Sequence, residues 1–331
     1  MKTFNVTNAK TVAEAQAALA KGKAAALAGG TDLISTLKSM CSPTSYDTLV
    51  NLKTIPNLSY IKEEGGFLKI GAMTTLTEIA KNDLVKSKYT ALAEAARAVG
   101  TPQLRNAGTI AGNICQLNRC WYFRGDSNLF ECARKKSGSP CYAMLGDNRY
   151  HSIFGGVSSC FAVTPSDTAP VLAAFGATIV TNKKSDWTTN AFFVVTGEKQ
   201  VAIASDEIVT EIRIPVPAAG TKSAYRKYAL RKAFDFPIVG AAAVITTSGG
   251  TVSAASVALG AVHNSPRIVS LGSSLTGKAI TKETAEAAGE AAIAGATPLM
   301  VPEKISTTAI GNKYIIQLAK VMTKRAVLAC E

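Results

Sequence analysis

Five of the seven cysteines, Cys115, Cys120, Cys132, Cys141 and Cys160, fall within 46 residues, in a stretch rich in Arg, Lys, Gly and Asn with little helical or strand periodicity. Such a stretch reads as a loop inserted into a domain whose core comes from the periodic segments on either side. A loop that long in a compact domain is functional or disordered. The odd cysteine count in a 331-residue chain argues against a disulfide scaffold, and the clustering points to a metal or cluster site. Cys41 and Cys330 stand apart and read as structural or incidental.

Cys120, Cys132, Cys141 and Cys160 are separated by 12, 9 and 19 positions, which matches neither zinc fingers nor the compact ferredoxin run. The histidines are His151 and His263, so a mixed Cys/His site is limited to His151. From the residues, three readings stay open: a [4Fe–4S] cluster, an all-cysteine zinc site, or free buried thiols. Arg119, Arg124, Arg134, Lys135, Lys136 and Arg149 surround the cysteines, which suits an anionic thiolate cluster but also a solvated basic loop.

Apolar residues make up 47% of the chain and charged residues 18%, which excludes a disordered tail or linker. No apolar run approaches the ~18 residues of a membrane span, and Met1 to Asn8 lacks the apolar stretch of a signal peptide. The expectation is a soluble protein without membrane insertion, cytoplasmic by default, although co-export with a partner is open. Lys and Arg number 36 against 23 Asp and Glu, and the resulting +13 calls for nucleic acid, an acidic partner or an anionic cofactor.

Thr11 and Glu14 begin a helix over Val12 to Ala20. A short strand, Ala24 to Ala28, then runs through Gly29-Gly30-Thr31-Asp32 into a helix from Leu33 to Met40, and a strand over Thr48 to Leu52 completes a β-α-β unit. Glycines at a strand-to-helix turn let backbone N–H groups approach an anion such as a pyrophosphate, although a plain turn looks the same and no G-x-G-x-x-G is present. Further on come a hairpin at Gly65-Gly66, a helix near Tyr89 to Val99, and strands at Ala177 to Thr181 and Glu207 to Ile214. After Pro217 and Gly220, strands at Tyr225–Ala229, Ile238–Thr246 and Thr251–Leu259 precede helices at Glu283–Ala294 and Lys313–Leu328. Asp167, in Pro165-Ser166-Asp167, suits either a turn or a hydroxyl acceptor, and Lys227 and Arg231 lie on or beside a basic, aromatic strand.

Taken in order, these segments resemble the FAD-binding medium subunit of the molybdenum hydroxylases, the xanthine dehydrogenase and carbon monoxide dehydrogenase family. Ala28-Gly29-Gly30-Thr31-Asp32-Leu33 is similar to its first pyrophosphate loop, and Gly108-Thr109-Ile110-Ala111-Gly112-Asn113 to its second flavin loop. Pro165-Ser166-Asp167, the Lys227 and Arg231 pair, and Leu259-Gly260-Ala261-Val262 with Pro266-Arg267 resemble later family segments. Asn118-Arg119-Cys120, Cys132, Cys141, and Cys160 seven residues before Asp167 resemble the subgroup with an inserted [4Fe–4S] loop. That subgroup includes periplasmic-type aldehyde oxidoreductase and 4-hydroxybenzoyl-CoA reductase. Gln103-Leu104-Arg105-Asn106 with Tyr122-Phe123 is closer to the aldehyde oxidoreductase form.

The resemblance implies an α+β fold: a two-subdomain FAD-binding region of the PCMH, vanillyl-alcohol-oxidase-like type, followed by a C-terminal α+β domain. Boundaries are expected at 1–220 (subdomains 1–56 and 57–220, loop 115–160) and 221–331. FAD would lie on Ala28 to Leu33 and on Thr109 to Asn113, with Asp167 on its hydroxyls and Val209 and Lys227 near the isoalloxazine. Cys120, Cys132, Cys141 and Cys160 would hold the cluster, leaving Cys115 a spare thiol. The implied role is electron transfer between a small subunit with two [2Fe–2S] clusters and an external electron carrier, with substrate chemistry on a large molybdenum-cofactor subunit. A hydroxyaryl-CoA reductase subunit would use the same relay in reverse. A basic zinc protein binding nucleic acid is the reading from another class, but it leaves the two glycine loops unexplained. A stand-alone flavin oxidase lacks a convincing acid or base.

Overall fold

In the computed structural model, which describes residues 1–299 and 311–331, three sheets follow one another along the chain. Strands β1 (Asn5–Asn8), β2 (Ala24–Leu27) and β3 (Thr48–Asn51) form a parallel sheet in the order β1-β3-β2. Helices Val12–Ala20 and Leu33–Ser39 make the connections that parallel pairing requires. The Thr11 hydroxyl caps the first helix by accepting from Glu14 N at 3.1 Å. The Glu14 carboxylate reaches back one residue further than in a capping box, accepting from Lys10 N at 2.7 Å. A small core, including Ala15, Leu19, Val50 and Leu58, lies beneath this sheet.

The second sheet is antiparallel and has the order β4-β5-β8-β6-β7. Its strands are β4 (Ile61–Glu64), β5 (Phe67–Gly71), β6 (Thr178–Thr181), β7 (Trp187–Thr188) and β8 (Val209–Pro215). Gly65 and Gly66 join β4 to β5 with φ of +62° and +80°, the double left-handed geometry of a tight hairpin. Between β5 and β6 the chain forms helices Leu76–Lys81, Asp83–Lys88, Thr90–Ala98, Pro102–Ala107 and Ile110–Cys115, then a long irregular stretch, then helix Thr168–Ala174. The irregular stretch, which holds the cysteines, contains only two short 3-10 turns, Asp126–Asn128 and Tyr142–Met144. Its lack of periodicity in sequence is therefore a lack of regular structure in space.

The third sheet, β9 (Thr221–Tyr228), β10 (Val239–Ser248), β11 (Thr251–Gly260) and β12 (Arg267–Ile268), is antiparallel in the order β12-β11-β10-β9. Helices Lys282–Ala292 and Tyr314–Leu328 cover one face, burying Ala285, Ala288, Ile315 and Ala319 against it. Helix Thr168–Ala174, every residue of which is buried, joins this unit to the second sheet. Pro170 lies so close to β11 that a Cβ at Gly260 would meet its Cγ at 2.9 Å. Among the described residues no helix is long and apolar enough to cross a membrane.

Candidate functional site

A cleft of about 790 Å³ opens between the first sheet and the helical layer of the second. Its floor is the turn after β2, and two glycines there do different things. Gly30 sits at φ +74°, which the strand-to-helix turn demands. Gly29 is at ordinary φ, but a Cβ on it would lie 2.0 Å from the Ala107 carbonyl oxygen. Glycine is needed at 29 so that the first glycine loop can touch the start of the second. Thr109 then caps helix Ile110–Cys115 by accepting from Gly112 N at 3.1 Å.

Of the expected cofactor residues, Ala28, Gly29, Gly30, Thr31, Asp32, Leu33, Thr109, Gly112, Asn113 and Asp167 all line this cleft. Ile110 and Ala111 instead face the core of the second sheet. Val209 does so too, at the start of β8, and does not line the cleft. Lys227 lies behind the lining and reaches it through Asp167.

The two aspartates are occupied by protein. Asp32 ties the glycine loop to the cysteine segment: its Oδ1 accepts from Arg124 Nη2 at 2.8 Å and pairs with Arg119 Nη2 at 3.0 Å, and its Oδ2 accepts from Leu117 N at 2.9 Å. Arg124 completes the junction by donating to Thr36 Oγ1 and to the Asn118 carbonyl. Asp167, 2% exposed, accepts from Tyr225 Oη at 2.7 Å and Lys227 Nζ at 3.0 Å, while Lys227 also donates to the Ala98 carbonyl. Burial pushes the Asp167 carboxyl upward and the Lys227 charge opposes it. Gly240 leaves the space for the Tyr225 ring, whose hydroxyl would lie 2.4 Å from a Cβ there. Asn113 Oδ1 accepts from Ser166 Oγ at 2.6 Å and Thr168 Oγ1 at 2.7 Å, so the second glycine loop is bonded to the Pro-Ser-Asp stretch.

Arg119 is the cleft residue that sequence reasoning credited only to the cysteine loop. It lines the cleft, its guanidinium stacks 4.3 Å over the Phe236 ring, and its buried Nε has no partner among the described residues. Burial pulls it down to about 10, with Asp32 opposing. Two arginines share one carboxylate here, so the junction carries net positive charge beside the glycine loop. An orphaned buried donor in such a place fits an anion. Phe234 and Phe236, at the mouth, were also missed, because a turn gives no periodic signal.

The cysteines form a second site. Cys120, Cys132, Cys141 and Cys160 line one small enclosure with Tyr122, Phe123, Ala133, Arg134, Tyr142 and Ala162, and none forms a disulfide. Among the described residues, no group of three or more His, Cys, Asp or Glu is drawn together tightly enough to be arranged for a metal ion. Burial pushes the Cys120 thiol up to about 12 and also raises Cys160, with Arg134 opposing at the latter. His151 Nε2 stands 3.3 Å from Cys120 Sγ. Cys115 lines the cleft instead of the enclosure, and burial also pushes it to about 12. Four sulfurs with no carboxylate among them form a soft donor set, and a cation placed among them would reverse the cost of ionising the thiols. Arg119 of the cleft and Cys120 of the enclosure are adjacent in the chain, so the two sites share a wall.

A cleft floored by glycine loops, with a four-stranded α+β unit closing against it, defines a binder of an extended anionic cofactor. Residues 2–217 match the family described as FAD binding domain in molybdopterin dehydrogenase, and residues 223–330 match the CO dehydrogenase flavoprotein C-terminal domain. The aldehyde oxidoreductase FAD-binding subunit PaoB of Escherichia coli K12 is 32% identical over 277 residues, covering 80% of this chain and 83% of that protein. The carbon monoxide dehydrogenase medium chain of Hydrogenophaga pseudoflava is 32% identical over 292 residues, 87% of this chain and 85% of that one. A solved carbon monoxide dehydrogenase from the same organism superimposes with a TM-score of 0.74 at 28% identity, over 99% of this chain and 97% of that one. The chain belongs to the FAD-binding medium subunits of the molybdenum hydroxylase family, and it is an oxidoreductase subunit.

Proposed function

We propose that this chain is the FAD- and [4Fe–4S]-containing electron-transfer subunit of a heteromeric molybdenum-dependent aldehyde oxidoreductase or hydroxylase. Its partners are a large molybdenum-cofactor subunit and a small subunit with two [2Fe–2S] clusters, and it serves an external electron carrier. The observation that carries the reading is the shared wall: the four-cysteine enclosure begins one residue beyond Arg119, inside the cofactor cleft. The similarity to an aldehyde oxidoreductase FAD-binding subunit supports that chemistry.

Bound FAD supplies the exchange between one- and two-electron transfer. The chain's own residues do the positioning. Backbone amides of residues 28–33 and Arg119 would hold the pyrophosphate, and the Asp32–Arg124 junction fixes both relative to the cysteine segment. Cys120, Cys132, Cys141 and Cys160 would hold the cluster, in an enclosure lined also by Tyr122, Phe123 and Tyr142. Part of the +13 charge offsets these two anionic groups, and an acidic partner surface accounts for the rest.

The test is anaerobic purification of the chain, followed by flavin, iron and zinc analysis and a visible spectrum. One FAD and about four irons per chain are expected. FAD without iron, or zinc in its place, overturns the cluster assignment, and absence of both FAD and iron overturns the whole reading.

A further inference from the structure

Among the described residues, Arg134 is a buried cation without a carboxylate partner. It is 4% exposed, yet every hydrogen bond it makes runs to a neutral acceptor or to sulfur. Its Nε donates to the Gly197 carbonyl, its Nη2 to the carbonyls of Glu198 and Lys199, and its Nη1 to Gln200 Oε1 at 2.9 Å. The remaining contact of Nη1 is Cys160 Sγ at 3.9 Å. The nearby Glu198 carboxylate cannot serve as counter-ion, because it is turned toward the hydroxyls of Ser42 and Thr44. An isolated buried charge is costly, and proteins pair such charges or bind them to an opposite one. Cys160 lines the enclosure with Arg134, and among the described residues its sulfur is the one group hydrogen-bonded to Arg134 that becomes an anion when it ligates a metal.

We propose that Arg134 is the built-in counter-ion of the cysteine site: a positioning residue that holds Cys160 as a thiolate ligand and raises the reduction potential of the cluster. This rests on the [4Fe–4S] assignment above. The hairpin at residues 196–200 supplies the fixed socket, so the guanidinium cannot swing out to solvent when the cluster is reduced. Reduction adds one negative charge beside a fixed positive one in a poorly screened enclosure, which favours the reduced state. The other basic residues of the loop differ. Lys136, for example, is exposed and paired with Glu131, and removing an exposed, paired charge changes the local field little.

The full chain is purified anaerobically as Arg134→Gln, Arg134→Lys and the loop control Lys136→Gln, with iron counted and the cluster titrated potentiometrically by EPR. Arg134→Gln is expected to shift the oxidised-to-reduced ratio at a fixed potential at least tenfold toward oxidised, equivalent to 59 mV for a one-electron couple. Arg134→Lys should shift it less and Lys136→Gln hardly at all. Full iron with an unshifted potential in Arg134→Gln overturns the proposal while leaving the cluster assignment intact. An unaltered chain without iron overturns the cluster assignment and this proposal with it. If Arg134→Gln loses its iron, retention in Arg134→Lys supports a role through charge, whereas equal loss in both overturns it.

Discussion

The contact between the two glycine loops can be tested at one atom. Gly29→Ala would place a Cβ 2.0 Å from the Ala107 oxygen, 2.7 Å from its carbonyl carbon and 3.0 Å from the Gly108 Cα. A relaxed carbon-to-oxygen contact is about 3.3–3.6 Å, so the loops must separate by roughly 1.3 Å or more. All three obstacles are backbone and cannot rotate away, which places the cost near the upper end of the overpacking range, about 3 kcal/mol. If that falls on the cleft, FAD binding weakens roughly 150-fold. Gly30→Ala makes the opposite kind of demand: the nearest atoms are the Ile34 and Leu27 side-chain ends at 3.3 Å, and the penalty is left-handed strain at φ +74°. That strain is worth about 1–2 kcal/mol. Fluorescence titration of the deflavinated chain with FAD, alongside thermal unfolding, separates the two. Gly65→Ala serves as a third variant, because it carries the same kind of φ strain in a hairpin with open space around it. If Gly29→Ala binds FAD within about threefold of the parent, or better than Gly30→Ala, the close approach is not what requires glycine there.

Other expectations follow from the buried pair and the ion pairs. Lys227→Met leaves Asp167, whose side chain is 3% exposed, without its cation. It should cost about 3–5 kcal/mol in urea unfolding, and adding Asp167→Asn should recover part of that; a single-variant cost below about 1 kcal/mol would show that the pair is not sealed from water. Lys320 and Lys324 hold Glu286 down to about 2 from an ordinary 4.5. A depressed carboxylate stabilises above its unfolded value and loses that contribution as pH falls through the folded one. The melting-temperature gap between parent and Glu286→Gln should thus be open near pH 6 and close by about pH 2, and roughly 1 M salt should narrow it. A gap independent of pH would refute the assignment. Cys120→Ser should lower the iron count while FAD stays bound, and full iron in that variant would remove Cys120 from the ligand set.

The local structure of this chain is written in its sequence wherever the signal is periodic or steric. Thr11 and Glu14 mark a helix start, Gly65-Gly66 marks a hairpin, and the strands of the third sheet begin and end within a few residues of where alternation places them. The glycine loops and the cysteine insertion were legible too, as compositional breaks between periodic segments. The roles of the polar residues were not. Asp167 read as a hydroxyl acceptor and Asp32 as part of the pyrophosphate loop; both line the cleft, and in space Asp32 is bonded to Arg124, 92 positions away, and Asp167 to Tyr225 and Lys227, 58 and 60 positions away. Val209 read as a flavin neighbour and is core. Arg119 and Arg134 were two among several basic residues in one loop; tertiary packing made the first a wall of the cleft and the second a buried cation against Cys160. Periodicity and turn chemistry act over a few residues and are carried by the chain itself, whereas the partner of a charge is chosen by packing between segments far apart in it. The sequence therefore determined the elements and the family, and the tertiary structure decided which charges, sulfurs and loops meet.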